Sequence, residues 1–407
     1  MIAIAAASVV LPDRQTGTAT LLVEHGRIVA VREGQPAPTQ ATPHALHDCM
    51  LVPGFIDVHV HGLQGTDVLD DAEAVRRVAA ALPGTGVTAF CPTSVACEPA
   101  TLQRMLEAVR QARQAPAPGA ARVLPAHLES NFINPAWNGA QPAGCLRWPP
   151  SPEAEASAQP GDYTGEALLQ VIETQRDAVA IVTVAPELPG GLALVQRLRA
   201  LGLVVSVGHS GATFDEACRA IAAGVTHATH LFNRMTPLTH RDPGVVGAVL
   251  AAPQVRAELI GDGHHVHPAV MRLAIAAKGV SGVMAITDGT AGSGLPVGTR
   301  ATLGGQRVTV TDRWAALDDG TMAGSVSTMA QVWKVLTGPV GLSPVDAAQL
   351  CATTPARQLQ LHDYGRLTPG AVADIVAIDA EGRIRQVWID GVAALARSRA
   401  AALRRRV

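Results

Sequence analysis

The sequence contains few aromatic residues and few charged ones. Phe, Tyr and Trp make up 3% of the 407 residues, and Asp, Glu, Lys and Arg together make up 16%. Hydrophobic residues reach 48%, which excludes a disordered chain and leaves Ala, Val, Leu and Ile to fill the core. The formal net charge is −2, so the sequence offers no excess of charge for binding nucleic acid or an anionic membrane.

A disulfide framework and long apolar runs are also missing, and we expect no signal peptide. The N-terminus has no basic region and reaches Pro12 and Asp13 too early for a signal peptide. No apolar run is long enough to span a membrane. The cysteines form no CxxC pair, so we expect reduced thiols in a soluble, cytoplasmic protein. They stand at Cys49, Cys91, Cys97, Cys145, Cys218 and Cys351.

Both ends of the chain have the pattern of short β-strands. LLVEHGRIVAVREG contains two strands around a turn at His25-Gly26, and DIVAIDAEGRIRQVWIDGV repeats the arrangement near the C-terminus. Two β-rich ends around a long middle segment predict one small β-sandwich domain, built from residues 1–52 and 362–407. The basic C-terminal segment ALARSRAAALRRRV predicts a short helix or a frayed end.

The middle segment, residues 53–361, alternates strand-like with helix-like runs. Amphipathic segments such as TLQRMLEAVRQAR lie between apolar strands, which indicates βα units and a parallel sheet. Eight such units over about 300 residues predict a (β/α)8 barrel. A doubly wound open sheet is the alternative, but eight strands and the absence of a GxGxxG turn disfavour it. The predicted strands are FIDVHV, GVTAFCPT, RVLPAHLE, AVAIVTVAPE, LVVSVGHS, GVTHATHL, RAELIGDG and GVMAITDG.

One segment interrupts this alternation. Residues 131–162 are rich in Pro, Gly and Ala. A long irregular loop inside a compact domain is usually a lid or a binding loop. A disordered insertion is the alternative, chiefly for Ser157–Pro160, whereas Trp137 and Trp148 predict that the earlier part of the loop is packed.

Two histidines, one residue apart, follow an apolar run in PGFIDVHVHG. Residues i and i+2 of a strand point to the same face, so His59 and His61 share a face with Asp57. Two imidazoles directed at one point suit a metal ion. The alternative is a pair of surface histidines after a buried strand.

Polar residues also stand at the ends of other predicted strands. The carboxyl ends of barrel strands are the face where barrel enzymes keep their active sites. A single histidine there is more often a core residue with its hydrogen bonds satisfied. Packing alone does not readily explain so many polar residues at the ends of strands. The residues at these ends are His59, His61, Glu129, His209, His230, His264, His265 and Asp288.

The chemistry of this set is metal-assisted hydrolysis of an amide or a similar acyl bond. Four histidines and Glu129 can hold one or two metal ions, which leaves Asp288 as a proton carrier. A metal ion brings the pKa of its bound water to roughly 7. Asp288 can take the proton of that water and return it to a leaving amine. His127 also points inward and is a candidate for supporting the ligands, whereas His227 has no predicted place.

Long blocks of the sequence resemble a known family. HVH after PGFID, the GHS of residues 208–210 and ITDG are similar to the amidohydrolase superfamily. THLFNRMTPLTHRDPGVVGAVL, IGDGHHVHP and DGTMAGSVSTM resemble more specifically the N-acetylglucosamine-6-phosphate deacetylases. The resemblance implies a metal-dependent barrel enzyme of amino-sugar catabolism that releases acetate from N-acetylglucosamine 6-phosphate. The galacto epimer is the alternative, because deacetylases of N-acetylgalactosamine 6-phosphate share the same blocks.

The resemblance also implies the metal site. Asp288 matches the catalytic acid/base of the family, and His59 and His61 match a second-metal pair that only some members have. We expect one or two divalent ions per chain, with zinc first and iron, cobalt or manganese as alternatives. The implied metal ligands are, in chain order, His59, His61, Glu129, His209 and His230.

Substrate contacts are implied in the same way. Asn233 and His265 match residues that contact the substrate in the family. Arg241 matches an arginine that reaches the sugar phosphate from the neighbouring subunit, which implies a homodimer. A guanidinium suits a phosphate because it can donate two parallel hydrogen bonds.

Three departures from the family pattern surround the substrate. Residues 129–132 read ESNF where the family usually reads EGPF. Gln141 stands where the family has a histidine that supports the carbonyl oxygen in the transition state, and it can donate an N–H bond but cannot titrate. Arg234 stands where a small residue is usual and adds a cation beside Asn233.

Two other functions therefore stay open beside the deacetylase. The same machinery could act on another N-acyl compound, with Gln141 and the loop of residues 131–162 reshaping the pocket. A catalytically silent scaffold is the alternative of a different class. The complete ligand set and Asp288 disfavour it, since a silent relative has no reason to keep all of them.

Overall fold

Eight parallel strands in the middle of the chain form a barrel in the computed structural model, which describes residues 1–35, 38–152, 154 and 162–394. The predictions for Ser157–Pro160 and for residues 395–407 lie outside these residues. The barrel strands are β5 (Phe55–Val60), β8 (Val87–Ser94), β10 (Ala126–Leu128), β11 (Val179–Val184), β12 (Val204–Val207), β13 (Val225–Ala228), β14 (Arg256–Ile260) and β15 (Val283–Ile286).

Apart from β9, which pairs with the barrel strand β8, the remaining strands belong to smaller sheets. They are β1 (Ile2–Val9), β2 (Ala19–Glu24), β3 (Arg27–Glu33), β4 (Thr42–Pro53), β6 (Gly62–Leu63), β7 (Thr66–Asp67), β9 (Arg122–Val123), β16 (Arg300–Leu303), β17 (Gln306–Val310), β18 (Trp314–Leu317), β19 (Met322–Ser325), β20 (Ile375–Asp379), β21 (Ile384–Ile389) and β22 (Val392–Ala394).

Helices lie between most of the barrel strands, as the alternation of the sequence predicts. They are α1 (Ala74–Ala81), α2 (Pro99–Gln114), α3 (Gly165–Thr174), α4 (Gly191–Ala200), α5 (Phe214–Ala223), α6 (Gly244–Ala251), α7 (Pro268–Lys278), α8 (Met329–Thr337), α9 (Pro344–Ala348) and α10 (Thr354–Gln358), with a π-helical turn at Gln349–Thr353. Within the described ranges, no helix is both long and apolar enough to cross a membrane.

The barrel strands follow the chain order around the ring, β5-β8-β10-β11-β12-β13-β14-β15. The ring closes between β5 and the residues after β15. The backbone N–H of Asp288 donates to the carbonyl oxygen of His59 at 3.1 Å, and that of His61 donates to the carbonyl oxygen of Gly289 at 2.8 Å. The (β/α)8 prediction is confirmed, and the closing bonds bring the first and last candidate residues together.

One predicted strand is divided. RVLPAHLE forms two short strands, β9 and β10, separated by Leu124 and Pro125. Proline has no backbone N–H to donate to a neighbouring strand, so the ladder is interrupted there. β10 then ends at Leu128, directly before Glu129.

Most of the helices bury one apolar face. In α2 the side chains of Leu102, Met105, Leu106 and Val109 are buried, at the spacing that places them on one face of a helix. This face packs α2 against the barrel and leaves its charged residues in solvent. The helix layer therefore holds the strands, and with them their C-terminal ends, in place.

Both chain ends meet in one sheet, as predicted. Its strand order is β22-β21-β20-β4-β1-β2-β3, and β4 from the N-terminal part pairs antiparallel with β20 from the C-terminal part. The predicted turn between β2 and β3 has positive φ at both His25 and Gly26, the backbone of a two-residue hairpin turn. We propose residues 1–52 with 362–407, and residues 53–361, as the bounds of the two domains.

A further antiparallel sheet, β16-β17-β18-β19, follows the last barrel strand. The sequence pattern gives no prediction for it. Leu303 of β16 and Met322 of β19 line the pocket described below. This sheet therefore adds an apolar wall to the site.

Candidate active site

Most of the predicted residues converge on one pocket at the C-terminal ends of the barrel strands. The pocket has a volume of about 230 Å³. His59 lies deeper, fully buried under the pocket floor. The predicted residues that line the pocket are His61, Glu129, Gln141, His209, His230, Asn233, Arg234, His265 and Asp288.

Glu129, His209 and His230 form a tight group. Oε1 of Glu129 lies 2.7 Å from Nε2 of His209 and 2.7 Å from Nε2 of His230. The two nitrogens are 3.1 Å apart, and all three side chains are buried. Nδ1 of His209 donates to the carbonyl oxygen of Trp137 at 2.8 Å, so its Nε2 is free to act as a ligand. Two imidazoles and a carboxylate with this convergence fit a divalent metal ion.

His59 and His61 form a second group on the other oxygen of the same carboxylate. Their Nε2 atoms are 3.2 Å apart. Nε2 of His61 lies 3.4 Å from Oε2 of Glu129, and Oδ1 of Asp288 lies 3.3 Å from Nε2 of both histidines. Glu129 therefore stands between two sets of nitrogen ligands, and Asp288 faces one of them.

Burial and neighbouring charges shift the pKa values of this cluster in opposite directions, and the neighbouring charges have the larger effect. Burial alone would raise the pKa of Glu129 and Asp288, but the neighbouring imidazoles outweigh it and hold both pKa values below their usual range. Burial alone would lower the pKa of His61 and His230, but the carboxylates beside them raise these pKa values to about 10 and about 9. Protons on the imidazoles thus balance the carboxylates, and a divalent ion can replace those protons.

Several side chains of the cluster sit on strained backbone. His209, His230 and Asp288 each follow the end of a barrel strand by two residues, and each has a positive φ, of 47°, 27° and 50°. Residues other than glycine rarely adopt this conformation, which costs of the order of 1–3 kcal/mol each. The turns direct these side chains into the pocket instead of along the barrel wall.

Gln141 belongs to the cluster. Its Oε1 accepts a hydrogen bond from the backbone N–H of Ala96 at 2.7 Å. This contact fixes the orientation of the amide, so that Nε2 donates to Oε2 of Glu129. The residue that replaces the family's histidine is therefore bound to a candidate metal ligand.

The other departure in the same loop points away from the pocket. Ser130 donates its hydroxyl hydrogen to the carbonyl oxygen of Thr183. Asn131 donates to the carbonyl oxygens of Cys97 at 2.8 Å and of Cys145 at 2.7 Å. Both side chains fix the backbone of the loop, and neither lines the pocket.

Three predicted substrate residues line the pocket beside the cluster. Nδ1 of His265 is held by Oδ2 of Asp262 at 2.6 Å, and Nδ2 of Asn233 donates to the carbonyl oxygen of His230 at 3.2 Å. Arg234 has a φ of 50°, and its guanidinium has no hydrogen bond or ion pair within the described part of the chain. It lies against Gly139, where a Cβ atom would approach Nε of Arg234 to 2.9 Å.

The structure does not bring Arg241 or His264 into this pocket. Arg241 is exposed and lines a separate depression of about 590 Å³, together with Asp215 of α5 and Thr236. His264 is exposed beside the pocket residue His265. His264 therefore lies outside the cluster, although it follows a barrel strand.

Sequence reasoning missed two buried carboxylates, Glu258 and Asp262. Glu258 contacts His227 and His59 under the pocket floor, which gives His227 a place. Burial would raise the pKa of Glu258, but the surrounding histidines hold it well below its usual range. The signal for Glu258 was a charged residue in the interior of the strand-like run RAELIGDG.

His127 supports the same region as a neutral side chain. Nδ1 donates to the carbonyl oxygen of Val58 at 3.1 Å, and Nε2 lies 2.9 Å from the hydroxyl of Thr183. Burial lowers the pKa of His127 to about 3. Its ring packs edge-on against that of His59, with the ring centres 4.6 Å apart.

Proteins similar to this chain share most of its length. The amidohydrolase family matches residues 50–394. The N-acetylglucosamine-6-phosphate deacetylase of Lysinibacillus sphaericus is 35% identical over 332 residues, which cover 81% of this chain and 81% of that protein. The N-acetylgalactosamine-6-phosphate deacetylase of Escherichia coli O157:H7 is 33% identical, with coverages of 91% and 93%.

A solved structure is similar over nearly the whole chain. It is a mutant of the N-acetyl-D-glucosamine-6-phosphate deacetylase from Mycobacterium smegmatis in complex with N-acetyl-D-glucosamine-6-phosphate. The identity is 30% and the TM-score 0.85, with 97% of this chain and 99% of that chain covered. The similarity thus includes both the barrel and the sheet formed by the chain ends.

Proposed function

The chain belongs to the amidohydrolase family, and on that premise we propose that it is a metal-dependent deacetylase that hydrolyses N-acetylglucosamine 6-phosphate to glucosamine 6-phosphate and acetate. The observation that carries the proposal is the buried cluster around Glu129, faced by Asp288, in a pocket that Arg234 and His265 also line. Two of the three relatives described above are named for this activity, one of them solved with the phosphorylated sugar, and the third is named for the galacto epimer.

The cluster supplies suitable ligands for a metal ion. Glu129, His209 and His230 would hold the first ion, and His59 with His61 would hold a second one beside the same carboxylate. When bound, such an ion would supply Lewis-acid chemistry that polarises the acetyl carbonyl and makes water nucleophilic at neutral pH. We propose zinc, because imidazole and carboxylate ligands in a compact set suit it.

Asp288 is the residue that moves the proton. It is buried, and its pKa lies below the usual range, so it is ionised at neutral pH and can accept a proton from the attacking water. The same carboxyl group then protonates the amine that leaves the acetyl carbon. Gln141 has a second N–H on Nε2 that can donate to the carbonyl oxygen as negative charge develops there.

An anionic group on the substrate fits the guanidinium of Arg234 in the pocket. Arg234 has a guanidinium without a partner among the described residues, and His265 lines the same pocket with its Nδ1 already held by Asp262. A phosphate can accept two parallel hydrogen bonds from a guanidinium. Asn233 adds a neutral polar group for the sugar.

A homodimer would complete this site. Arg241 is exposed and remote from the pocket of its own chain. In a two-fold dimer both chains use the same surface, so an interface formed by the surface around Arg241 would present this guanidinium to the partner subunit. We propose the cytoplasm as the location, since none of the six cysteines is paired in the structure.

An assay of the metal-loaded protein with three sugars tests the activity. N-acetylglucosamine 6-phosphate, its galacto epimer and unphosphorylated N-acetylglucosamine are compared by released acetate. We expect a much higher kcat/KM for the first than for the unphosphorylated sugar, and an Arg234→Ala variant should lose part of that preference through KM. Preference for the galacto epimer would assign the activity of the Escherichia coli relative, whereas equal rates with and without phosphate would contradict a phosphate-binding pocket.

A further inference from the structure

Glu258 lies in β14 beneath the pocket and is fully buried. Its Oε2 is 2.9 Å from Nδ1 of His59 and accepts a hydrogen bond from the backbone N–H of His230 at 3.1 Å. Its Oε1 is 2.9 Å from Nε2 of His227. One carboxylate thus contacts residues of both candidate metal groups from below, without lining the pocket itself.

A chain of hydrogen bonds with a fixed direction leads to this carboxylate. Arg256 can only donate, and its Nη1 lies 2.8 Å from Oε1 of Gln358. The other end of that amide, Nε2, therefore donates to Nδ1 of His227 at 3.2 Å. With Nδ1 as acceptor, the neutral ring of His227 carries its proton on Nε2 and donates it to Glu258.

The hydrogen bond to Glu258 shows that Nδ1 of His59 carries a proton. A carboxylate accepts hydrogen bonds, so the proton of the His59 ring lies on Nδ1, toward Glu258. Nε2 is then the ring nitrogen that faces His61 and Asp288, where a metal ion can take the place of a proton. His61 has the same arrangement, because its Nδ1 lies 3.1 Å from the carbonyl oxygen of Thr93.

We propose that Glu258 is a positioning residue for the second metal site: it holds the ring of His59 with Nε2 turned into the pocket as a ligand. The inference rests on the proposed function only in that His59 and His61 bind a metal ion. His227 and Gln358 support Glu258 in this role, which explains why a carboxylate is buried under an apolar barrel floor.

The test replaces Glu258 by its uncharged isostere. In Glu258→Gln an amide N–H would face either His59 or His227, so one acceptor is lost. We expect the affinity for the second metal equivalent to fall about 10- to 100-fold, the usual effect of removing a partner of a histidine ligand. The first equivalent, on the side of His209 and His230, is retained. Equilibrium dialysis against graded zinc, followed by elemental analysis, measures both equivalents.

A matched control has the same change at another buried carboxylate that holds a histidine. Asp262→Asn alters the partner of His265, which is not a candidate ligand, and should keep both metal affinities. Adding Glu258→Gln to a His59→Asn variant should cause no further loss, because Glu258 acts through His59. Wild-type metal affinity in Glu258→Gln, or a further loss of metal affinity in that double variant, would overturn the inference. Neither result would contradict the proposed deacetylase activity.

Two results separate this inference from the rest of the proposed function. A wild-type protein that binds one equivalent but deacetylates the sugar phosphate would refute the second metal site and the role of Glu258 together, while the activity stands. If Glu258→Gln does not fold, a crystal structure of the zinc-loaded wild type decides. We expect zinc to be bound to Nε2 of His59, and Nδ1 of the same ring to donate a hydrogen bond to Glu258. Zinc on Nδ1, or bound to Glu258 itself, contradicts the inference.

Discussion

The side chain of Gln141 donates a hydrogen bond to Glu129, the carboxylate around which both groups of histidines assemble. The backbone N–H of Ala96 orients the amide from its other end at 2.7 Å. Glu129 thereby has one oxygen directed at His209 and His230 and the other held by the loop. The geometry of the loop and the geometry of the metal site are consequently linked.

Removing this amide should weaken metal binding. In Gln141→Leu, Glu129 loses the hydrogen bond that orients it, and we expect metal affinity to fall by about 10- to 100-fold. Competition with a chromogenic chelator measures this. Gln306→Leu is the control, because Gln306 donates to the carbonyl oxygen of Ala140 in the same loop but does not contact the cluster. Equal affinities in the two variants would show that the loop does not orient the carboxylate.

Asp288→Asn should retain the metal and the fold but lose turnover. An amide cannot accept the proton of the attacking water, so kcat should fall by about 10²–10⁴, the usual contribution of a positioned acid or base. Steady-state kinetics with elemental analysis of the same sample checks both statements. Asp318→Asn, at an exposed surface pair with Arg307, is the control. Near-normal turnover in Asp288→Asn would remove this residue from the mechanism.

The paired histidines should account for one metal equivalent. A double variant with His59→Asn and His61→Asn should bind one equivalent under conditions where the wild type binds two, because Glu129, His209 and His230 remain. Elemental analysis after dialysis against excess zinc measures the ratio. The same stoichiometry in both proteins would mean that these histidines are not ligands.

Mixing two impaired variants tests the contribution of Arg241 across a dimer. Arg241→Ala lacks the arginine, and Asp288→Asn lacks the proton carrier. If Arg241 of the partner subunit completes each pocket, then subunit exchange gives mixed dimers that each have one intact site. With random pairing of equal amounts, about a quarter of all sites are then intact. The regain of activity on mixing is measured against the unmixed variants. Mixing without any regain would place the action of Arg241 within its own chain.

Asp374 should make stability depend on pH at the junction of the two domains. It accepts a hydrogen bond from the backbone N–H of Asp390, and burial raises its pKa from 3.8 to about 6, although Arg122 opposes this. The folded state then binds the proton more tightly than the unfolded state. The stabilisation is complete below pH 3.8 and is lost as pH rises through about 6.

Asp374→Asn removes this titration. The difference in free energy of unfolding between wild type and variant should shift by about 2 kcal/mol between pH 4 and pH 6.5, with the wild type losing stability as pH rises. Urea denaturation at several pH values provides the numbers. A difference independent of pH would show that the carboxyl group titrates alike in both states.

The barrel and most of the cluster could be predicted because their signals are local. Apolar runs of strand length define β5 and the other barrel strands, and a polar residue directly after such a run must lie at the C-terminal end of the barrel. Glu129, His209, His230 and Asp288 are found by this rule without knowledge of any contact. The turn at His25-Gly26 is equally local.

Contacts between distant parts of the chain were decided by the tertiary structure alone. Glu258 and His59 are 199 positions apart, and no periodicity within either strand encodes their hydrogen bond. The same holds for Gln141, whose amide is oriented by the backbone N–H of Ala96. It also holds for Asn131, which the sequence predicts to lie near the substrate but which donates to carbonyl oxygens of loop residues. Alternation in a strand fixes which face a side chain occupies. Which donor meets which acceptor on that face depends on how the strands close into a ring.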